Sequence, residues 1–285
     1  QLYDAPMYAV PTSLSPSRVE SFTSCPLAFR FSSIEKLPEP ASIHTAKGTF
    51  VHRVLELLFE APAPERTPSL ALTLVAQAWS EITAADEYLM LGPSTEEAEA
   101  LLADATRLVE KYFTIEDPTT ITPEGLELRL EADMGSLRLR GIIDRLERTA
   151  SGELVVTDYK TGRAPSASYE QRRLGGVHFY AWLCEQALGE RPVEIRLMYL
   201  ASGETITAYP SEQSIRFLPK RTGAVFQAIE KACLTGDFRP QPSGLCGSCA
   251  FRRWCPEFGG DPSLAAAEAP VVYAVPERRS AAEQA

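Results

Sequence analysis

The sequence is short of several things. In 285 residues no apolar stretch approaches the roughly 20 residues of a membrane-spanning helix, so no membrane association is expected. There is no charged start followed by a short apolar core and a small-residue cleavage site, which argues against secretion and for a cytoplasmic chain. Six cysteines are too few and too unevenly spaced for a disulfide scaffold. No Gly-x4-Gly-Lys-Ser/Thr string occurs, so the chain carries no recognisable phosphate-loop motor. Positive charge is also scarce: 28 Lys and Arg against 38 Asp and Glu give −10, which taken whole argues against a polyanionic partner.

That average conceals a segregation. Residues 81–133 hold 14 acids against 3 bases, whereas 215–255 hold 7 bases against 2 acids, so one region can still meet a polyanion. Hydrophobic residues are 45% and charged residues 23%, as in an ordinary globular protein. We expect an extended arm over 1–13, a single domain over 14–260 and a flexible Ala/Glu/Pro-rich tail over 261–285. Within the domain, 69–125 reads as a helical, acidic insertion and 240–258 as a cysteine-rich loop. Ser15-Pro16-Ser17 with Glu20 starts a short helix that Pro26 ends. Apolar spacing predicts a helix over 44–60, two more over 69–92 and 95–114, then others over 169–188 and 212–236. Alternation predicts strands over 126–133, 137–148, 154–157, 194–200 and 204–209. The order suggests an α/β or α+β core with a central mixed sheet flanked by helices.

The chemistry concentrates in Gly141-Ile142-Ile143-Asp144-Arg145 and Thr157-Asp158-Tyr159-Lys160-Thr161-Gly162. In a strand Asp158 and Lys160 share a face. A turn near 150–152 folds the preceding strand back so that opposed residues sum to about 302, bringing Asp144 opposite Asp158. Two close carboxylates repel unless something positive lies between them. Lys160 supplies one charge, and Mg²⁺ or Mn²⁺ supplies two with a preference for oxygen ligands. Such an ion polarises a phosphoryl oxygen and acidifies water, so the trio suits phosphodiester hydrolysis. The alternative is a surface hairpin with a cross-strand Asp–Lys pair. Flanking Ile142, Ile143, Val155 and Val156 favour buried strands and hence the site. His52, sharing a helix face with Glu56, is a further candidate ligand.

Cys246-x2-Cys249-x5-Cys255 supplies three soft ligands on one loop. A fourth is needed for zinc or an iron–sulfur cluster. Cys184 and Cys233 sit in apolar helical surroundings, whereas Cys25 stands at a helix end before Pro26, and we select Cys25. Spacing does not separate Zn²⁺ from iron–sulfur, although Cys255-Pro256 echoes the Cys-Pro that closes some iron–sulfur runs. Either group would staple the two chain ends together.

Taken together, Cys25, His52, Gly141-x-x-Asp144-Arg145, Asp158-Tyr-Lys160-Thr-Gly162, Tyr180 and the late cysteines resemble the RecB-like branch of the PD-(D/E)XK nuclease superfamily. The resemblance spans about residues 14–258 and is nearest the iron–sulfur members, the AddB-type nuclease domains and the CRISPR-associated adaptation nucleases. It implies a restriction-endonuclease-like core and a metal-dependent deoxyribonuclease, an exonuclease acting on single-stranded DNA or duplex ends in repair and recombination. It implies metal ligation by His52, Asp144, Asp158 and the carbonyl of Tyr159, catalysis assisted by Lys160, and a [4Fe-4S] cluster on Cys25, Cys246, Cys249 and Cys255. Where such proteins carry Gln-x-x-x-Tyr, Tyr180 fits but Gly176 replaces the Gln; Gln171 is too far upstream, and His178 is the nearest substitute. Tyr180 and Phe179 are candidates for base stacking. Arg172, Arg173, Lys220, Arg221, Arg252 and Arg253 are candidates for backbone contacts. A separate helicase is the implied partner. The competing readings are a non-cleaving DNA-binding or repair-partner module and a zinc-stapled hydrolase of another phosphodiester.

Overall fold

The structure is a computed structural model that describes residues 6–164 and 167–273, and for 167–175 the backbone alone. The chain enters through β1 (Ser13–Leu14) and α1 (Pro16–Ser24), whose N-cap Ser15 accepts from the Arg18 N–H at 3.4 Å. Pro26 ends α1 as expected, but it also opens α2 (Pro26–Phe29), because proline is tolerated at a first helical position. Helices α3 (Ile43–Glu60), α4 (Pro68–Ala84), α5 (Asp86–Leu91) and α6 (Thr95–Tyr112) follow. Ser42, Thr67 and Ser94 cap α3, α4 and α6, and Gly92 at φ 54° ends α5.

The sheet comes next: β2 (Pro123–Met134), β3 (Leu137–Arg148) and β4 (Leu154–Lys160), then α7 (Ala167–Leu188), β5 (Glu194–Tyr199), β6 (Glu204–Ala208) and α8 (Glu212–Thr235). β3 is the centre of the arrangement. It pairs antiparallel with β2 along one edge; along the other it pairs parallel with β1 at Arg138 and Leu139, then antiparallel with β4 at 145–148. β4 pairs parallel with β5, and β5 antiparallel with β6. The sheet is therefore mixed. The Arg145↔Thr157 and Leu146↔Val156 pairs keep the expected register. Above Arg145 the β3–β4 ladder stops, and the two strands splay apart between β1 and β4.

Two apolar layers cover the sheet. One joins Leu139, Val156 and Leu197 with α7, α8 and Trp254. The other joins Tyr159, Met198 and Leu200 with Phe50, Leu58, Ala78 and Leu108 from α3, α4 and α6. The helices over 69–125 thus contribute a layer of core against the sheet. Two expectations change. In place of a flexible tail over the whole of 261–285, α9 (Ala265–Val272) forms, because its small Ala265 and Ala269 allow close approach and are fully buried. Glu268 on α9 accepts from the Trp254 indole N–H at 2.8 Å. Ile142, expected in a buried strand, is 41% exposed.

Candidate active site

The fork between β3 and β4 is where the chemistry gathers. With the ladder ended, the Asp144 carboxylate takes the place of a strand partner and accepts from the Tyr159 N–H at 2.7 Å. The next residue on β4, Lys160, sets its ammonium 2.6 Å from Asp158 Oδ2. Asp158 is only 7% exposed, and its Oδ2 makes this ionic contact without hydrogen-bond alignment. From α3, His52 Nε2 lies 3.0 Å from the Tyr159 carbonyl oxygen. Its partner on the helix face, Glu56, is engaged by Arg53 at 2.8 Å and takes no part.

The other imidazole nitrogen finds an acid that the motifs do not mark. His52 Nδ1 is 3.6 Å from Asp144 Oδ2 and 3.8 Å from Glu127 Oε1. Among the described residues, His52, Glu127 and Asp144 form a group whose donor atoms lie within 4.8 Å of one another. Those separations are too long for N–H···O hydrogen bonds. They suit donors sharing one ion at roughly 2.1 Å each. A nitrogen and several carboxylate oxygens therefore fit a divalent cation. Glu127 interrupts β2 with φ 45°, a left-handed conformation that few residues other than glycine adopt. That backbone, opposite Asp144 in the hairpin, is the signal; the sequence alone carries none.

Electrostatics match this donor set. Burial lowers the His52 pKa, but Glu127, Asp144 and Asp158 outweigh it and the imidazole is pushed up to about 9. Burial, aided by Asp158, pushes Asp144 up to about 7 against the pull of His52 and the Tyr159 N–H. Burial lowers Lys160 as well, yet Asp158 holds the ammonium above its ordinary value. Positive charge stabilises this pocket, whether carried by a proton or an ion.

Behind β4, fully buried Arg145 donates to Tyr159 Oη at 2.7 Å, Glu116 Oε2 at 3.0 Å and Thr157 Oγ1 at 3.2 Å, and lies over the Phe59 ring at 4.5 Å. Its Nε approaches Glu147 Oε2 at 2.6 Å without hydrogen-bond alignment. The network anchors Tyr159, whose backbone touches both His52 and Asp144. In front, Gly141 lets α7 close on β3, since a Cβ there would come within 3.0 Å of Tyr180 and Leu183.

These residues lie in a groove of about 1550 Å³ between the β2–β3 hairpin, α1, α7, α8 and residues 241–245. Tyr180, Gly176 and Arg221 line it; Lys220, Arg252 and Arg253 do not. Lys220 lies over Phe217, and Arg252 over Phe258. Phe179, expected to stack on bases, is 2% exposed and belongs to the core. The side chains of Arg172 and Arg173 are outside the described residues. A Cβ at Gly176 would meet nothing within 4 Å.

Cys25 is far in sequence from Cys246, Cys249 and Cys255, yet it lies near enough for its charge to act on two of them. Cys25, at the α1–α2 junction, and Cys246 both bear on the thiols of Cys249 and Cys255, which burial raises first. Ser243 N–H points at Cys246 Sγ at 3.2 Å. Among the described residues, no three of these sulfurs come within 4.8 Å of one another. Four thiolates around one zinc, each about 2.3 Å away, would be roughly 3.8 Å apart. Cys184 and Cys233 are fully buried.

The profile of the PD-(D/E)XK nuclease superfamily matches residues 13–256. This chain belongs to that superfamily. PD-(D/E)XK nucleases use divalent metals, in keeping with the His52–Glu127–Asp144 group. The chain is 24% identical to the Gene 69 protein of Mycobacterium phage L5 and 27% identical to that of phage D29, covering 86% of this chain and 96% of each relative. It is 26% identical to one subunit of the ATP-dependent helicase/deoxyribonuclease of Streptococcus agalactiae, over 53% of this chain and only 14% of that protein. A solved structure from Eubacterium rectale, provisionally described as an exonuclease, superposes with a TM-score of 0.54 at 10% identity, covering 85% of this chain and 88% of that one. That likeness supports the PD-(D/E)XK fold.

Proposed function

We propose that this chain is a divalent-metal-dependent deoxyribonuclease, an exonuclease that trims single-stranded or frayed DNA ends in repair or recombination. The observation that carries the reading is the set of donors from His52, Glu127 and Asp144, spaced for an ion and not for hydrogen bonds, beside the Asp158–Lys160 pair. His52, through Nδ1, would hold the ion with Asp144, Glu127 and Asp158, while the Tyr159 carbonyl, on Nε2, fixes the ring instead of joining the ligands. Bound Mg²⁺ or Mn²⁺ supplies Lewis acidity toward a phosphoryl oxygen and a more acidic water. Asp158 holds the Lys160 ammonium toward the scissile phosphate, where its charge meets the negative charge that develops. The Tyr159 N–H orients Asp144, and its carbonyl orients His52, so one residue of β4 aligns two ligands.

A [4Fe-4S] cluster on Cys25, Cys246, Cys249 and Cys255 belongs to the same proposal. A polynuclear cluster holds its thiolates farther apart than a single zinc does, and backbone N–H groups toward sulfur are a feature of such sites. The cluster would staple α1 to the cysteine-rich loop. The similarity to a helicase/deoxyribonuclease subunit supports a helicase as partner. The hollow at Gly176 favours one second reading, a module that grips DNA without cutting.

Incubation of end-labelled single- and double-stranded DNA with Mn²⁺ tests the proposal. The wild type should degrade it, and Asp158→Ala or Lys160→Ala should not. Full activity in either variant refutes the assignment, and retention of DNA without cleavage selects the binding module.

A further inference from the structure

Beyond the metal ligands the groove continues along the outer face of the β2–β3 hairpin. In the register Arg129 stands opposite Ile142 and Glu131 opposite Arg140, with Glu127 and Asp144 next in line. Alternation puts these side chains on one face, and Arg129, Glu131, Arg140 and Ile142 are all exposed. Arg140 stands roughly 13 Å along β3 from Asp144, four residues at strand rise.

Charge pairing singles this stripe out. Many arginines elsewhere are bound to acids, among them Arg53 to Glu81, Arg148 to Glu190, Arg196 to Glu147 and Arg138 to Asp133. Arg129, Arg140 and, on the α8 wall, Arg221 have no ion-pair partner among the described residues. Of the acids on these walls away from the metal ligands, Glu131 is drawn to Arg138 at 3.6 Å, and Glu20 is free. Between the arginines the floor is apolar: Ile142 is 41% exposed, and Leu245 across the groove is 71% exposed.

We infer that Arg129 and Arg140, with Arg221 on the α8 wall, form a phosphate track that carries a single strand of nucleic acid into the metal site, its unpaired bases against Ile142 and Leu245. This rests on the nuclease reading and names its substrate path. Cations without counter-charges recognise a polyanion. Exposed apolar side chains between them suit bases whose faces are open, which a duplex does not offer.

The test is binding of a fluorescein-labelled 20-nucleotide thymidine strand in the Asp158→Ala background, followed against salt. Arg140→Ala and Arg129→Ala should each lower the slope of log K on log salt by about 0.7, one phosphate contact on a single strand. Arg140→Lys should keep the slope, and Arg216→Ala, outside the groove, should leave it unchanged. A duplex of equal length should bind more weakly. Unchanged slopes in a protein whose wild type cuts DNA overturn the track and spare the nuclease. Equal affinity for duplex overturns the single-strand assignment. The expected slopes in a wild type that never cuts support the track and refute the nuclease.

Discussion

Glu127 offers the sharpest perturbation, because its backbone and its carboxylate can be removed separately. At φ 45° within β2 it holds a left-handed conformation that costs an L-residue about 1–2 kcal/mol. Glu127→Gly releases that strain but frees the unfolded chain, which takes back about 0.5–1 kcal/mol. Glu127→Gln keeps the strain. Both remove the same charge from beside Asp144, so the difference between them isolates the backbone. We expect the Gly variant to be the more stable of the two by about 0.5–1 kcal/mol, or about 1–4 °C in Tm. Both should lose Mn²⁺ affinity by at least the roughly 10–100-fold that even an outer-shell partner commands. The assays are thermal melts of metal-free protein and Mn²⁺ titration followed by the ion's paramagnetic signal. A Gly variant no more stable than the Gln variant would refute stored strain. Unchanged Mn²⁺ affinity in both would remove Glu127 from the metal centre. The combination expected, stability gained and metal lost, is that of a strained functional position.

Metal binding should release a proton. With His52 at about 9 and Asp144 at about 7, the imidazole is protonated between those values and must lose its proton to bind. Kd for Mn²⁺ should therefore fall about tenfold per pH unit from 7 to 9, and a flat titration there refutes the ligand role of His52. Arg145→Met leaves Glu116 and Glu147 without their buried cation, and denaturant unfolding should show a loss of about 3–5 kcal/mol; a loss under 1 kcal/mol would show that the network does not hold Tyr159. Cys25→Ser should remove iron and acid-labile sulfide and lower Tm, and an unaltered Tm with the metal gone would show that no staple exists.

How far the sequence can be read follows from the range of each interaction. Asp158 and Lys160 are two residues apart on one strand, so local alternation is enough for them, whereas the hairpin register carries only as far as Arg145↔Thr157 and Asp144 joins through the Tyr159 N–H beyond its end. His52 is legible as a lone imidazole on an amphipathic helix, but its contact with Tyr159 depends on how α3 lies against the sheet. Glu127 is hidden by its surroundings. Leu126, Leu128 and Leu130 mark β2 as a strand, and the same alternation sends Glu127 outward among the surplus acids of 81–133. Only the pairing of β2 with β3 and the turn of its backbone bring it to Asp144. Arg129 and Arg140 escape notice for the same reason: the basic surplus of 215–255 points to Lys220, Arg252 and Arg253, which stand outside the groove. Net charge over a segment reports how many cations there are, whereas recognition depends on which of them lack an acid. On this hairpin that is settled by partners such as Asp133 and Glu131, which claim Arg138 and leave Arg140 unpaired.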